Sequence, residues 1–311
     1  MVKNPLYAYD ATATARAELL KNYDLQIVKT YEEANVMGMV FPEQNINDPG
    51  ADSHNWDVAK SAKRAKTTRD GESGADGSIA FDTASNKFVV TDQSYQIKKY
   101  SLDRALKSNR NLDMETAMAV AYNIISEKDY QLWNGNSDYG LTSIKSLAQD
   151  AGAPGGVWDV AGKMYADVLA VIGKVRTQGY DGVLNTVITP GILSKMDEQV
   201  SISATETLSM TYREWISGLT RGGLLLASSN PFTANSGPSK TKKATGSAGT
   251  AVNQIFVAAP MAAEIIDAHG LLSRNVPTTE GNVHKNVSVK YTSKVSDGKL
   301  IAYMDAIDLA T

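Results

Sequence analysis

The sequence predicts an α+β fold of elongated outline. Strand-like and helix-like stretches are mixed without a regular βαβα alternation, which separates it from parallel α/β proteins. A polar, turn-rich tip between two strand-like runs predicts a long two-stranded arm. One strong helical period from about Leu112 to Trp133 predicts a rod of roughly 33 Å at ~1.5 Å per residue.

Each element has its own signal. In residues 10–35, "DATATARAELLKNYDLQIVKTYEEAN", Ala15, Leu19 and Leu20 sit at helical spacing, with Asp10 or Thr12 as the cap. Pro42, Asn45, Asn47, Pro49 and Gly50 mark a loop. "WDVAKSAKRAKT" (56–67) and "IAFDTASNKFVVTDQSYQIKKYSL" supply the arm, whose tip covers 68–78. Two strands alone are marginal in water, so the arm needs a further surface to lie on. In the long helix Met114, Met118, Ala121, Ile125 and Leu132 fall on one face, and Asn111 or Asp113 is the cap. Asn134, Gly135 and Asn136 stop it, because Asn and Gly accept the left-handed conformation at a helix end.

A Gly/Pro/Ala linker then leads to a helix over 160–177. "GVLNTVITP" (182–190) reads as a buried strand feeding a helix that starts at Pro190. Residues 211–219 read as a short helix and "GGLLLASSN" as a second buried strand. Residues 233–251 are low in complexity and read as a surface loop. "QIFVAAP" reads as a strand, "MAAEIIDAHG" as a helix stopped by Gly270, and "NVSVKYTSK" with "KLIAYMDAI" as a closing hairpin.

Composition narrows the function classes. Of 311 residues 42% are hydrophobic and 21% charged, the balance of a folded soluble protein with a real core. A net charge of −3 supplies no global field toward nucleic acid. The absence of cysteine removes disulfides, thiolate nucleophiles and cysteine-ligated zinc, and fits a cytosolic setting. The first residues lack the apolar core of a signal peptide, and the longest apolar run, 255–266, is broken by Pro260 and Glu264, so no membrane partner is expected.

Catalytic patterns are missing. His54, His269 and His284 are too far apart in sequence for a helical two-histidine zinc motif. His269 is expected at a helix C-terminus, where the dipole favours an imidazolium. "GESGADG" has glycines but no helix behind it to hold phosphate. The carboxylate pairs Asp197/Glu198 and Asp305/Asp308 have no cleft to span. The expectation is no catalytic residue, no metal, no cofactor and no enzyme activity.

Lys60, Lys63, Arg64, Lys66 and Arg69 put five cations within ten residues of the arm. They form either a solvated edge that resists stray pairing or a strip that docks on an acidic neighbouring subunit. Interleaved aromatics, which single-strand nucleic-acid grooves use, are absent from it. Lys240, Lys242 and Lys243 read as solubilising. Tyr130 and Trp133, at the end of "EKDYQLWNGN" (127–136), read as packing residues.

The run "YQIKKYSLDRALKSNRNLDMETAMAVAYNIISEKDYQLWNGNSDYGLTSI" resembles the central segment of tailed-phage major capsid proteins of the Hong Kong 97 type and of the related encapsulin shell proteins. In that family a strand leaving the arm is followed by a short helix, a long spine helix and an [LW]-x-G-[DN] turn, then by Gly-Leu. Leu132, Trp133, Asn134, Gly135 and Asn136, then Gly140 and Leu141, match that pattern. "VLNTVITPGILSKMDEQ", "GGLLLASSNPF", "VSVKYTSK" and "LIAYMDAIDL" resemble later segments in the same order.

The resemblance implies an N-terminal arm and helix over 1–53, an extended E-loop over 54–92, a P-domain over 93–138 and 276–311, and an A-domain over 139–275. It implies a structural shell protein that self-assembles, as hexamers and pentamers, into an icosahedral capsid enclosing double-stranded DNA without sequence-specific contacts. It further implies a virion location after assembly in the host cytoplasm, with a scaffolding protein, a portal and, as an optional addition, a decoration protein as partners. The alternative is an encapsulin-like nanocompartment around a cargo enzyme. Trp133, Asn134 and Gly135 become the hinge between P- and A-domains, and the basic strip becomes an inter-subunit contact. Some members crosslink an E-loop lysine to a P-domain asparagine with the help of a glutamate. Lys60, Lys63, Lys66, Asn282 and Asn286 are available, but "VKYTSKVSDGKL" holds no glutamate, so no crosslink is expected.

Overall fold

The structure, a computed structural model, describes residues 20–22, 24–61, 80–108, 115–234, 243–244, 253–276 and 282–309. Among the described residues the first full element is helix α1 (24–34), broken at Asn35, whose side chain accepts from the Gly38 amide and starts α2 (Val36–Val40). A short strand β1 (Glu43–Asn45) precedes the ribbon β2 (Ser53–Ser61) and β3 (Ala80–Lys87), which continues into β4 (Val89–Ile97). Helices α3 (Lys99–Ser108), α4 (Glu115–Asn134) and α5 (Ile144–Leu147) follow, then β5 (Gln149–Asp150), α6 (Lys163–Arg176) and β6 (Asn185–Ile188). The next stretch holds α7 (Leu193–Met196), β7 (Gln199–Ser203), β8 (Glu206–Thr211), α8 (Tyr212–Leu219) and β9 (Leu225–Ala227). The small pair β10 (Thr233–Ala234) and β11 (Lys243–Ala244) leads to β12 (Asn253–Ala258), β13 (Ala263–Val276), β14 (Val283–Val295) and β15 (Ile301–Ile307).

Two sheets organise the molecule. The first has the order β1-β13-β14-β4, with β1 parallel to β13 and the other pairs antiparallel. Strands β4 and most of β14 alternate between a buried and a more exposed side, as half-buried strands should. On β4, Val89, Tyr95 and Ile97 point inward while Val90, Asp92, Ser94 and Gln96 are exposed. Helix α4 packs on the buried side, against β4 and β14. The second sheet has the order β5-β15-β12-β6-β9. Its central strands β6 and β12 are buried on both faces, and α6 covers β12 and β15 with Val168, Val171, Ile172 and Val175. The main apolar core runs through both sheets.

Several expectations are corrected. "MAAEIIDAHG" is not an α-helix: after one 3-10 turn (Pro260–Ala262) it runs from Ala263 as β13, which gains a backbone partner on each side, β1 and β14. Its Ile265 enters the main core and its Ile266 a small one on the opposite face with Phe88 and Ala268, a two-sided burial that suits a strand. His269 is therefore not at a helix end. The C-terminal strands form no hairpin either: β14 belongs to the first sheet and β15 to the second. β13 thus pairs with β1 and β14, while β15 pairs with β5 and β12. "GGLLLASSN" yields only a half-buried edge strand, β9, and the expected loop at 42–50 contains the paired strand β1. Met118 is 46% exposed and stands off the buried stripe of α4. Residues 10–19, the arm tip and the caps Asn111 and Asp113 lie outside the described residues.

Candidate functional site

The junction after α4 is assembled from aromatic packing and one strained turn. Trp133 is fully buried and stacks on Phe256 of β12 with ring centroids 4.3 Å apart, with Phe232 and Tyr303 edge-on at 6.4 and 6.1 Å. A helix lying on the first sheet is thereby fixed to the second. Asn134 donates to the Tyr130 carbonyl at 3.1 Å and to the Pro231 carbonyl at 2.9 Å. Gly135 has φ +76°, and a Cβ there would stand 2.8 Å from the Ser143 amide nitrogen. Asn136 and Leu141 then close the turn with two 2.9 Å backbone bonds, and the Ser143 hydroxyl donates to the Trp133 carbonyl at 2.7 Å.

The arm is a separate two-stranded sheet, β2 antiparallel to β3 with Ser53 opposite Lys87 and Ala59 opposite Phe81. Of the basic strip, Lys60 falls in the register shift between Ala59 and Ser61; Lys63, Arg64, Lys66 and Arg69 lie outside the described residues. At the ribbon root Asn86 is 4% exposed. Its Nδ2 donates to the Ser293 carbonyl at 2.9 Å and to the Ser293 hydroxyl at 3.1 Å. Its Oδ1 accepts from the Thr142 amide at 2.8 Å and from Lys87 at 3.1 Å.

A third feature was missed in the sequence: a buried charge cluster on α4. Lys128 is fully buried, with Nζ 2.9 Å from Glu43, 3.2 Å from Asp267 and 3.0 Å from the Tyr31 hydroxyl. The ammonium also lies 5.5 and 5.8 Å from the ring centroids of Tyr31 and Tyr291. Burial alone would lower its pKa, but Tyr31, Asp267 and Glu43 more than reverse that. Burial pushes the Tyr31 and Tyr291 hydroxyls up, and the Asp267 carboxyl up against the pull of Lys128. Next to it, Asp129 accepts from the amides of Val36 and Met37 at 3.1 and 3.2 Å. Its complete burial nevertheless pushes its pKa up to about 7, outweighing those bonds and Lys128. Together these residues clamp α1, α2 and β1 onto α4 and β13. Asp24 of α1, held by Lys285 of β14 at 2.5 Å, adds a second anchor. The signal was a gap: in the stripe Ala121, Ile125, Leu132, the missing step falls at 128–129.

The remaining candidates serve structure. Asp197 pairs with Arg213 and Glu198 with Lys195 at 3.0 Å each, and Asp305 pairs with Lys145 at 2.5 Å. His54 stacks on Trp56 with 5.9 Å between centroids. His269 sits in β13 with Nδ1 2.9 Å from the Gly270 carbonyl oxygen. Asn282 accepts from the Lys99 amide at 2.9 Å, and Asn286 donates to Asp92 at 3.2 Å.

No family model and no curated protein matches the sequence. Solved structures do. The virus-like particle from Pyrococcus furiosus superposes with a TM-score of 0.62 at 11% identity, over 91% of this chain and 98% of that one. The capsid of Myoviridae phage XM1 matches with a TM-score of 0.59 at 10% identity, over 88% and 92% of the two chains. A structure of Mycobacterium phage Ogopogo matches with a TM-score of 0.58 at 11% identity, over 87% and 91%. At such identities the likeness is one of backbone architecture, and it extends over nearly the whole of each chain. The protein has the α+β capsid fold.

Proposed function

We propose that this protein is a non-enzymatic shell subunit, the major capsid protein of a tailed virus, which self-assembles into an icosahedral shell around double-stranded DNA. The observation that carries the proposal is end-to-end similarity to capsid structures, covering 88% of this chain and 92% of the phage XM1 capsid protein. The ribbon β2–β3 fits that role, because a sheet that has only two strands among the described residues is marginal until another surface covers it. A neighbouring copy supplies that surface in a shell. Lys60, Lys63, Arg64, Lys66 and Arg69 then meet acidic groups of that neighbour, each exposed pair contributing only ~0.2–1 kcal/mol but repeated at every contact. Hexamers and pentamers, a scaffolding protein, a portal and an optional decoration protein complete the assembly, which resides in the virion after forming in the host cytoplasm.

In this reading residues 54–92 are the E-loop, 93–138 with 276–311 the P-domain and 139–275 the A-domain. Trp133, Asn134 and Gly135 form the hinge, and β13 and β15 are the strands that lace the two domains together. An encapsulin-like compartment holding a cargo enzyme is the second reading. It is favoured by the 98% coverage of the virus-like particle subunit.

Electron microscopy of the purified chain tests the proposal, with closed shells of uniform size expected. Small monodisperse species under all assembly conditions would refute both readings. Shells that fill with DNA only when portal and packaging motor are present support the virus; shells that co-purify with an enzyme support the compartment. Deleting residues 68–78 should leave the subunit folded and abolish efficient assembly.

A further inference from the structure

The arm must leave every subunit at one reproducible angle if it is to reach the same place on each neighbour. Backbone pairing within β2–β3 holds the ribbon together but does not set its direction, since two-stranded ribbons twist freely. Direction has to come from bonds that leave the ribbon root. Asn86 makes such bonds to two different elements: to Ser293 at the end of β14, and to Thr142 in the segment that follows α4.

We propose that Asn86 is the positioning residue of the arm: its carboxamide fixes the angle of the β2–β3 ribbon and couples that angle to the turn that ends α4. The proposal rests on the shell reading for its biological meaning and on geometry for its substance. A carboxamide has two donor and two acceptor positions, and here all four are engaged, the donors on Ser293 and the acceptors on Thr142 and Lys87. The two amide donors on one side and the Ser293 carbonyl on the other leave one orientation of the planar group. It is buried, so water cannot replace a lost partner without cost.

The coupling has a path. Thr142 follows Leu141, which closes the turn with Asn136, and precedes Ser143, whose hydroxyl holds the Trp133 carbonyl at 2.7 Å. The Lys87 side chain lies against Gly140 in the same turn, where a Cβ would stand 2.9 Å from Lys87 Cδ. A change of angle between α4 and the second sheet is therefore felt at the root of the arm, and the reverse also holds.

The test uses the full chain, which contains no cysteine, so label pairs can be introduced at chosen sites. Spin labels replacing Asp57 on the ribbon and Lys174 on α6 report the arm's direction. The parent protein should give one narrow distance distribution. In Asn86→Ala the distribution should broaden, the Thr142 amide should exchange about tenfold faster, and assembled shells should lose their uniform diameter. Asn86→Asp keeps acceptors for Thr142 but opposes a carboxylate to the Ser293 carbonyl; it should behave alike and provides a second variant should alanine fail to fold. An unchanged distance distribution in a folded variant would overturn the proposal. If the parent chain forms no shells, the shell reading fails, and the distance distribution still decides the role of Asn86.

Discussion

Replacing Lys128 by methionine removes the ammonium at the centre of the buried cluster while keeping most of its volume. The carboxylates it serves are unequally placed: Glu43 keeps 31% of its side chain exposed and turns to water, whereas Asp267 keeps 10%. The loss therefore falls on Asp267. Removing one partner of a buried pair costs about 3–5 kcal/mol. An independent ceiling agrees, because the stranded carboxyl escapes by taking a proton. At about pH 7 that is roughly three units above its ordinary value, or about 4 kcal/mol at ~1.4 kcal/mol per unit. The same escape sets the pH signature. In the variant the folded-state pKa of Asp267 rises well above its unfolded value. Stability is then greatest below the unfolded pKa and falls as pH rises, so the penalty shrinks by ~1.4 kcal/mol per unit on acidification. Urea denaturation followed by far-UV circular dichroism at several pH values measures both quantities. The double variant Lys128→Met/Asp267→Asn removes the Asp267 share and should recover most of the loss; the neighbouring Asp129, which also loses the attraction of Lys128, keeps part of the added pH dependence. A loss below about 1 kcal/mol, well short of the range for buried pairs, or a loss independent of pH, would refute the reasoning.

Further outcomes are expected. Asp129 has a folded pKa raised to about 7, above its unfolded value, so its contribution is greatest in acid and is lost as pH rises through neutrality. Relative to Asp129→Asn, the parent protein should gain ~1.4 kcal/mol per unit as pH falls from about 7 toward 4, read from parallel denaturant titrations. Trp133→Ala should cost about 3–5 kcal/mol in thermal or chemical unfolding, since it empties the stack on Phe256. Gly135→Ala should cost at least ~1–2 kcal/mol for its left-handed conformation. Gly135→Asn should not rescue it, because the Cβ contact with Ser143 remains; full stability in the Asn variant would show that conformation alone matters.

What was legible in the sequence follows from range. The stripe Ala121, Ile125, Leu132 and the Asn134-Gly135 stop are local signals, and α4 with its turn lies where they indicated. The α+β class was legible for the same reason. β13 was not. Its Ala-Glu-Ile-Ile-Asp-Ala run suits a helix locally, and only pairing with β1 and β14, far away in sequence, makes it a strand. The split of β14 and β15 between sheets is likewise a matter of long-range pairing, which periodicity cannot express. At the candidate site, Trp133, Asn134 and Gly135 were readable as a helix end. Lys128 and Asp129 look in sequence like solvent-facing charges, and only the interrupted stripe pointed to them. Asn86 had no signal at all, being one polar residue in a polar ribbon whose long-range partners, Thr142 and Ser293, come from two distant parts of the chain.

The placement of β15 bears on when a subunit can come into being. This strand, ending at Ile307, lies between β5 and β12 in the interior of the second sheet. While the chain is being synthesised that sheet has a vacant slot, with β12 lacking one neighbour and β5 lacking its only one. The sheet closes only after translation has passed residue 307, so nascent chains halted earlier cannot present a finished subunit surface. Late closure acts as proofreading by topology. A chain that stops before β15 leaves β5 and one edge of β12 unpaired, and such open edges are points of attack for proteases.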